Sequence, residues 1–293
     1  MRLFWQRVIY CIMMFLNIVA LLAIISYMIG FFWIDVTKYE IASSKIPNSF
    51  DGYTILQLSD LHSKSFEKNN ETIFKKIDAE QPNMIVLTGD MINTNDADFS
   101  VFYQFAETLT QTYPVYYVVG NHEQNLSLRK YTELLAHLRQ IGVTVLNNQS
   151  VSIFKDADRI ELTGFTLPLP YYTNQLKDQV QKELTPEILT QFIGTPQKEI
   201  FQILLSHNPL YFDTYSSWGA DLTFAGHIHG GIIRFPFIGG LLSPERTFFP
   251  KYSGGKYQKE DSALIVNRGL GNGTVNLRIF NNPEITVIRL KSE

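Results

Sequence analysis

The chain has 293 residues, with 28 acidic and 25 basic side chains and a formal charge of −3. That balance excludes the strongly basic face of a nucleic-acid binder. A single cysteine, Cys11, excludes an internal disulfide and a zinc–thiolate centre, so any bound metal must take oxygen and nitrogen ligands.

The first predicted element is Val8–Ile34, an uncharged run between Arg7 and Asp35. It exceeds the roughly 20 residues that cross a bilayer. It is also too long for the apolar part of a cleavable signal peptide. Trp5 and Tyr10 at one end, and Phe31, Phe32 and Trp33 at the other, suit the two membrane interfaces. Residues 1–34 are therefore expected to form one transmembrane helix that anchors the chain in a cell membrane by a single pass. Arg2 and Arg7 sit closer to the apolar run than Lys38 and Lys45, and the amino terminus adds a charge on their side. The expectation is a cytoplasmic N-terminus and an extracytoplasmic catalytic domain. Residues 35–52 read as a linker and a first strand, with Thr37–Ser43 suited to a sheet edge and Pro47 and Asn48 breaking the pattern.

Residues 53–293 read as one catalytic domain of alternating α/β texture. Short apolar strands are predicted at Tyr53–Leu58, Met84–Leu87, Val115–Val119, Val143–Leu146, Val151–Phe154, Ile160–Phe165, Phe201–Leu205, Leu222–Ala225, Ala263–Val266 and Ile285–Leu290. Helical spacing marks Lys68–Ala79, Phe99–Leu109 and Leu128–Ile141, the last closed by Gly142. A further short helix is expected at Pro186–Phe192, capped by Thr185.

Five of these strands end in metal-capable groups: Asp60 and His62, Asp90, Asn121 and His122, His207, then His227 and His229. In open α/β sheets, ligands bind outside the carboxyl ends of the strands. Of six histidines, only His137 lies away from a strand end. His227 and His229 stand two apart in Gly226-His227-Ile228-His229-Gly230-Gly231, where glycines let the backbone approach a ligand closely. Each cluster alone reads equally well as a turn, a cap or a hydrogen-bonded core group. Their joint placement points to one metal centre. Asp60, His62, Asp90, Asn121, His207, His227 and His229 offer more ligands than one tetrahedral zinc takes. They suit two divalent ions sharing a carboxylate, as in phosphoryl-transfer sites. Mixed oxygen and nitrogen ligands are compatible with manganese, iron, zinc or magnesium.

The order Asp-x-His, Gly-Asp, Gly-Asn-His-Glu, a lone His, then Gly-His-x-His resembles the calcineurin-like metallophosphoesterases. The resemblance covers about Tyr53 to Leu290. It implies a four-layer α/β/β/α sandwich of two mixed sheets. It implies one metal on Asp60, His62, Asp90 and His229, and a second on Asp90, Asn121, His207 and His227, with Asp90 bridging. It implies that His122 donates a proton to the leaving oxygen or orients the phosphate. Gly230-Gly231-Ile232-Ile233-Arg234-Phe235-Pro236 and Asn267-Arg268-Gly269-Leu270-Gly271 resemble the membrane-associated or exported bacterial branch. That branch includes envelope phosphoesterases and enzymes cleaving the pyrophosphate of a UDP-linked acylated glucosamine. Met91-Ile92-Asn93 departs from the Asp and Arg that follow Gly-Asp in protein phosphatases of the superfamily.

The expected function is hydrolysis of a phosphodiester or pyrophosphate in a lipid- or envelope-linked substrate, by water activated at the ions. The alternatives are a non-catalytic envelope phosphate binder and a cytoplasm-facing nucleotide phosphodiesterase. Arg234 and Arg268 are candidates for bidentate phosphate contacts, against the plainer reading of surface ion pairs. The apolar stretches Phe235–Tyr252 and Leu167–Tyr172 are candidates for lipid contact, against ordinary core. No oligomer is read from the sequence.

Overall fold

In strand β2 (Thr54–Leu58), Leu56 and Leu58 face one apolar layer while Ile55 faces another. Strand β3 (Met84–Thr88) repeats this: Ile85 and Leu87 on one side, Met84 and Val86 on the other. In β8 (Gln202–Ser206), Ile203 and Leu205 turn one way and Leu204 the opposite way. Strands with both faces apolar must be covered on both faces. The result is a helix–sheet–sheet–helix sandwich, shown by a computed structural model. It describes residues 1–66, 70–172, 182–231, 233–235, 238–243, 247–273 and 278–293.

The first sheet is mixed and also contains β1 (Asp35–Ser43), β4 (Val115–Val118), β5 (Thr144–Val145) and β14 (Glu284–Ser292). Its order is β1-β14-β2-β3-β4-β5, antiparallel only between β14 and β2. The second sheet adds β6 (Gln149–Lys155), β7 (Asp158–Phe165), β9 (Leu222–Ala225), β12 (Gly255–Lys259) and β13 (Ser262–Val266). Its order is β12-β13-β9-β8-β7-β6, with parallel pairs from β13 to β7. The inner faces of both sheets share one core, including Ile55, Val86, Val118, Ile203, Phe224 and Ile265. Helices α2 (Glu71–Glu80), α3 (Ser100–Thr110) and α5 (Leu128–Gln140) cover the first sheet through Ile73, Phe105 and Leu138. Helices α6 (Pro186–Ile193) and α7 (Phe212–Trp218) cover the second through Leu189, Tyr215 and Trp218. Gln57 is a buried polar residue of the inner layer. Its Nε2 donates to the Ala225 carbonyl at 2.8 Å, which aligns the carboxyl ends of β2 and β9 across the sandwich.

Helix α1 (Arg2–Phe32) is continuous and presents Phe4, Trp5, Phe15 and Leu16 outward. Among the described residues, no helix is long and apolar enough to cross a membrane. The expected span is therefore not recovered. Residues 3–19, whose side chains are all described, include Arg7 and fall short of the roughly 20 residues a span needs. The remainder falls partly on residues 20, 23 and 26–32, whose side chains lie outside the description.

Elements at the chain's polar or glycine-rich stretches were not anticipated. Helix α7 carries weak helix formers (Thr214, Ser216, Ser217) and shows only the aromatic spacing Phe212, Tyr215, Trp218. Strands β10 (Ile233–Phe235) and β11 (Gly239–Leu242) form a separate hairpin inside the apolar stretch. The predicted helix from Lys68 begins at Glu71, and residues 67–69 lie outside the description. The two apolar stretches part ways. Leu167 and Tyr171 pack into the core beside β7 and β8, whereas Ile238, Phe248 and Phe249 stay 68, 68 and 63 % exposed. Phe237 lies outside the described residues.

Candidate metal centre

The carboxyl ends of β2, β3, β4, β8 and β9 deliver six of the seven candidate ligands and His122 to one place, with Asn121 directly before His122. Within each of three groups the donor atoms lie within 4.8 Å of one another: Asp60, His62 and His229; Asp90, His207 and His227; and His62, Asp90 and His122. His137 does not join them; it lies on α5 against Tyr103, with ring centroids 3.9 Å apart.

The backbone is bent hard to achieve this. Asp60 (φ 51°), His62 (47°), Asp90 (52°), His227 (70°) and His229 (55°) all occupy the left-handed region. Non-glycine residues seldom do so, at a cost on the order of 1–3 kcal/mol each, and such residues concentrate at functional sites. The loops also touch: a Cβ on Gly120 would collide with the Asp90 carboxylate, so only glycine permits β4 to end there.

Hydrogen bonds fix the imidazoles with their Nε2 atoms inward. Asn93 Nδ2 donates to the His62 carbonyl, so Asn93 Oδ1 is left to accept from His62 Nδ1 at 2.9 Å. His207 Nδ1 donates to the Thr88 carbonyl at 2.6 Å. Their Nε2 atoms then face other electron-rich atoms. His62 Nε2 lies 3.2 Å from His229 Nε2, and His229 Nε2 lies 3.3 Å from Asp60 Oδ1. His207 Nε2 lies 3.0 Å from Asp90 Oδ2 and 3.9 Å from Asp60 Oδ1. Asn121 Oδ1 is buried with no hydrogen-bond partner among the described residues. Such a set of inward lone pairs fits divalent cations.

Electrostatics agree with that reading. Burial holds the His229 imidazole well below its ordinary pKa, aided by His62 and Arg278. Burial also lowers His62, against the pull of Asp90 and Asp60. At His207 burial again opposes the charged form, yet Asp90 and Asp60 push it up to about 10. Asp90 is held well below the carboxylate range by His207, against its own burial. A proton on His207 thus occupies, in the cation-free protein, the gap a cation would fill. Its folded pKa exceeds the ordinary 6.5, so the pair stabilises the cation-free fold fully below about 6.5 and loses this as pH rises through about 10. Cation uptake at neutral pH must displace that proton. We expect manganese titrated calorimetrically at pH 7 to release protons and to bind more tightly at pH 9. Affinity independent of pH, with no buffer-dependent heat, would contradict the arrangement.

Glu123, on the short helix α4 (Asn121–Gln124), holds the centre's frame. Its fully buried carboxylate accepts from the backbone N–H of Asp90 at 3.0 Å, Met91 at 2.7 Å and Gly120 at 2.8 Å. Burial and the nearby Asp90 charge raise its pKa. A Glu123→Ala protein leaves three buried N–H groups unmet, at about 1–3 kcal/mol each. We expect a loss of roughly 3 kcal/mol or more, read as a lower urea midpoint.

His122 is oriented differently. The Thr94 backbone N–H donates to its Nδ1 at 3.3 Å, which places the proton of the neutral ring on Nε2. Thr94 follows the Met91-Ile92-Asn93 departure, and no carboxylate bonds His122 Nδ1 among the described residues.

Residues 53–231 match the family described as calcineurin-like phosphoesterase. The chain belongs to this family. Among its relatives is the uncharacterized metallophosphoesterase YkuE of Bacillus subtilis, 30% identical over 88% of this chain and 86% of the relative. The phosphodiesterase YaeI of Escherichia coli is 25% identical over 88% of each chain. The UDP-2,3-diacylglucosamine pyrophosphatase LpxG of Chlamydia muridarum is 25% identical over 84% of this chain and 86% of the relative. The family makes this chain a metal-dependent phosphoester hydrolase.

The two candidate arginines lie beside the centre, behind Gly230. Arg268 bonds two carboxylates, Asp35 at 2.9 Å and Glu284 at 3.0 Å, which is the ion-pair reading of that residue. Arg234 makes no ion pair among the described residues. Sequence reasoning missed Glu123 as a support, and it also missed Arg278 and Asn281. The buried Arg278 guanidinium contacts the Gly271 carbonyl and Asn272 Oδ1, and its Nη2 lies 3.4 Å from His229 Nδ1. Burial pushes Arg278 down to about 10, so it remains charged at neutral pH. Asn281 Nδ2 grips the His229 carbonyl at 2.6 Å and the Gly231 carbonyl at 2.5 Å. Both sit in Arg278-Ile279-Phe280-Asn281, which carries no periodicity; the one signal was a charged residue next to the glycines at 269, 271 and 273.

Proposed function

We propose that the chain hydrolyses a phosphodiester or pyrophosphate bond in a lipid- or envelope-linked substrate. Asp60, His62, Asp90 and His229 would hold one divalent cation, and Asp90, Asn121, His207 and His227 a second. The observation that carries this is the inward set of imidazole Nε2 atoms, 3.0–3.3 Å from carboxylate or imidazole partners. Bound divalent cations supply charge neutralisation at phosphoryl oxygens and acidify a water.

The chain's own residues do the rest. Asp90 belongs to two of the three donor groups, so its carboxylate spans the centre. Its Oδ1 also accepts from the His122 backbone N–H at 2.8 Å, which locks the proton donor to the metal frame. His122, with Nε2 protonated, donates to the leaving oxygen. Its ring lies against His62, 4.7 Å between centroids, so the donor borders the cation site.

Helix α1 supplies the anchor in this reading, with the catalytic domain outside the cytoplasm. Its outward apolar side chains support the anchoring. The names of YaeI and LpxG support the diester and pyrophosphate classes. The test is turnover of a monoester, a diester and a pyrophosphate panel by the full chain with manganese, iron, zinc or magnesium. Diester or pyrophosphate turnover above monoester is expected. No hydrolysis with any metal would leave a phosphate binder instead. A reporter fused to the C-terminus should be active only outside the cytoplasm.

A further inference from the structure

A cavity of about 420 Å³ is lined by Arg234, Lys251, Arg268, Ser253, Ile238 and Phe280 among others. Arg234 Nη1 reaches the Gly230 carbonyl at 3.4 Å, one residue after His229. A Cβ on Gly230 would meet Arg268 Cγ at 2.9 Å. Gly230 therefore links His229 to both arginines of the cavity.

Three cations line this cavity, and among the described residues two of them, Arg268 and Lys251, pair directly with carboxylates. Arg268 is matched by Asp35 and Glu284. Lys251 is matched by Asp213 at 3.0 Å. Among the described residues, Arg234 has only long contacts of 3.4 Å, to the Gly230 and Gly254 carbonyls and Ser253 Oγ. Burial and the Arg268 charge lower its pKa, against the pull of Tyr257 and Glu284. A guanidinium fork with unfilled donors calls for a planar or tetrahedral oxyanion.

The rim says what the anion carries. Phe235, Ile238 and Phe280 line the cavity. Phe248 and Phe249 join the same hairpin, through the Leu242–Phe248 bridge and the bond from Phe249 N to the Leu241 carbonyl. All five aromatic or aliphatic side chains are exposed. An isolated phosphate would need none of them. Asp35, which holds Arg268, follows the end of α1 at Phe32 by three residues, so the outward-facing apolar helix leaves the domain at this cavity.

We propose that this cavity binds the phosphate headgroup of a membrane lipid, with Arg234 on the phosphate and the rim of Phe235, Ile238, Phe248, Phe249 and Phe280 on the acyl chains. The inference deepens the proposed function by naming an amphiphilic phosphate as the class of molecule presented to the metal centre. Charge-assisted bonds contribute about 1.5–3 kcal/mol each, a factor of roughly 10–150 in affinity.

The test titrates full-length protein in a neutral detergent with dihexanoyl phosphatidate and, separately, with glycerol 3-phosphate, which has the phosphate but no chains. Arg234→Ala should raise the Kd for the phosphatidate roughly 10-fold or more. A Phe248→Ser, Phe249→Ser double variant, changed only at exposed positions, should weaken the phosphatidate and leave glycerol 3-phosphate unchanged. Equal affinity for the two probes would make this a receptor for free phosphate and overturn the lipid assignment. Wild-type affinity in Arg234→Ala would overturn the site. Both titrations are repeated after chelation, where binding at this cavity should persist. Diester turnover in the same preparations judges the metal centre separately, so failure of one reading is not mistaken for failure of the other.

Discussion

An Asp90→Asn protein is expected to fold, to lose both cations and to lose catalysis with them. Asparagine tolerates the left-handed backbone that Asp90 adopts, so the substitution removes charge with little conformational penalty. What disappears is the one carboxylate shared between donor groups. Its Oδ2 faces His207 Nε2 at 3.0 Å and its Oδ1 accepts from the His122 N–H at 2.8 Å. Removing a single electrostatic stabiliser commonly costs 10²–10³ in turnover, and losing the shared ligand should cost on the order of 10³ or more. Elemental analysis of the purified variant should find well under one metal per chain. Two metals per chain in that protein would show that Asp90 is not the shared ligand.

The second large effect separates chemistry from metal binding. His122→Ala should keep its cations, because the other seven side chains supply both proposed ligand sets. Turnover should fall roughly 10²–10⁴-fold, the usual worth of a positioned general acid. The loss should shrink for substrates whose leaving group is acidic, since a good leaving group needs no proton. Near-normal turnover with an alkoxide leaving group would remove His122 from the mechanism. Its support is the Thr94 backbone N–H on Nδ1, and side-chain changes at Thr94 leave that N–H in place. A Thr94→Ala protein should therefore retain most activity.

The centre was legible because its strands are short apolar runs that each stop at a polar ligand. Leu222–Ala225 is read as a strand from four residues because His227 and His229 follow at once. The two mixed sheets followed from the resemblance, and the double-sided burial of β2, β3 and β8 shows why continuous apolar runs were needed. Tautomers were not legible, because Asn93 and Thr88 orient His62 and His207 from positions 31 and 119 residues away. The role of Arg268 was not legible either, since its partner Asp35 lies 233 residues upstream. Glu123 was visible in the Gly-Asn-His-Glu block, but its task of gathering three backbone N–H groups depends on how β3 and β4 end side by side. Leu167–Tyr172 and Phe235–Tyr252 look alike in composition. Only the helices over β7 and β8 decide that the first is core, while in the second Ile238, Phe248 and Phe249 stay outward and Tyr252 packs against Phe212 as core.

The most direct measurement is a crystal structure of the full chain grown with manganese, read by anomalous scattering at the metal edge. Two peaks roughly 3.5–4 Å apart are predicted, with the Asp90 carboxylate between them, one beside His62 and His229 and the other beside His207 and His227. A single peak, or peaks away from these side chains, would contradict the paired-cation centre.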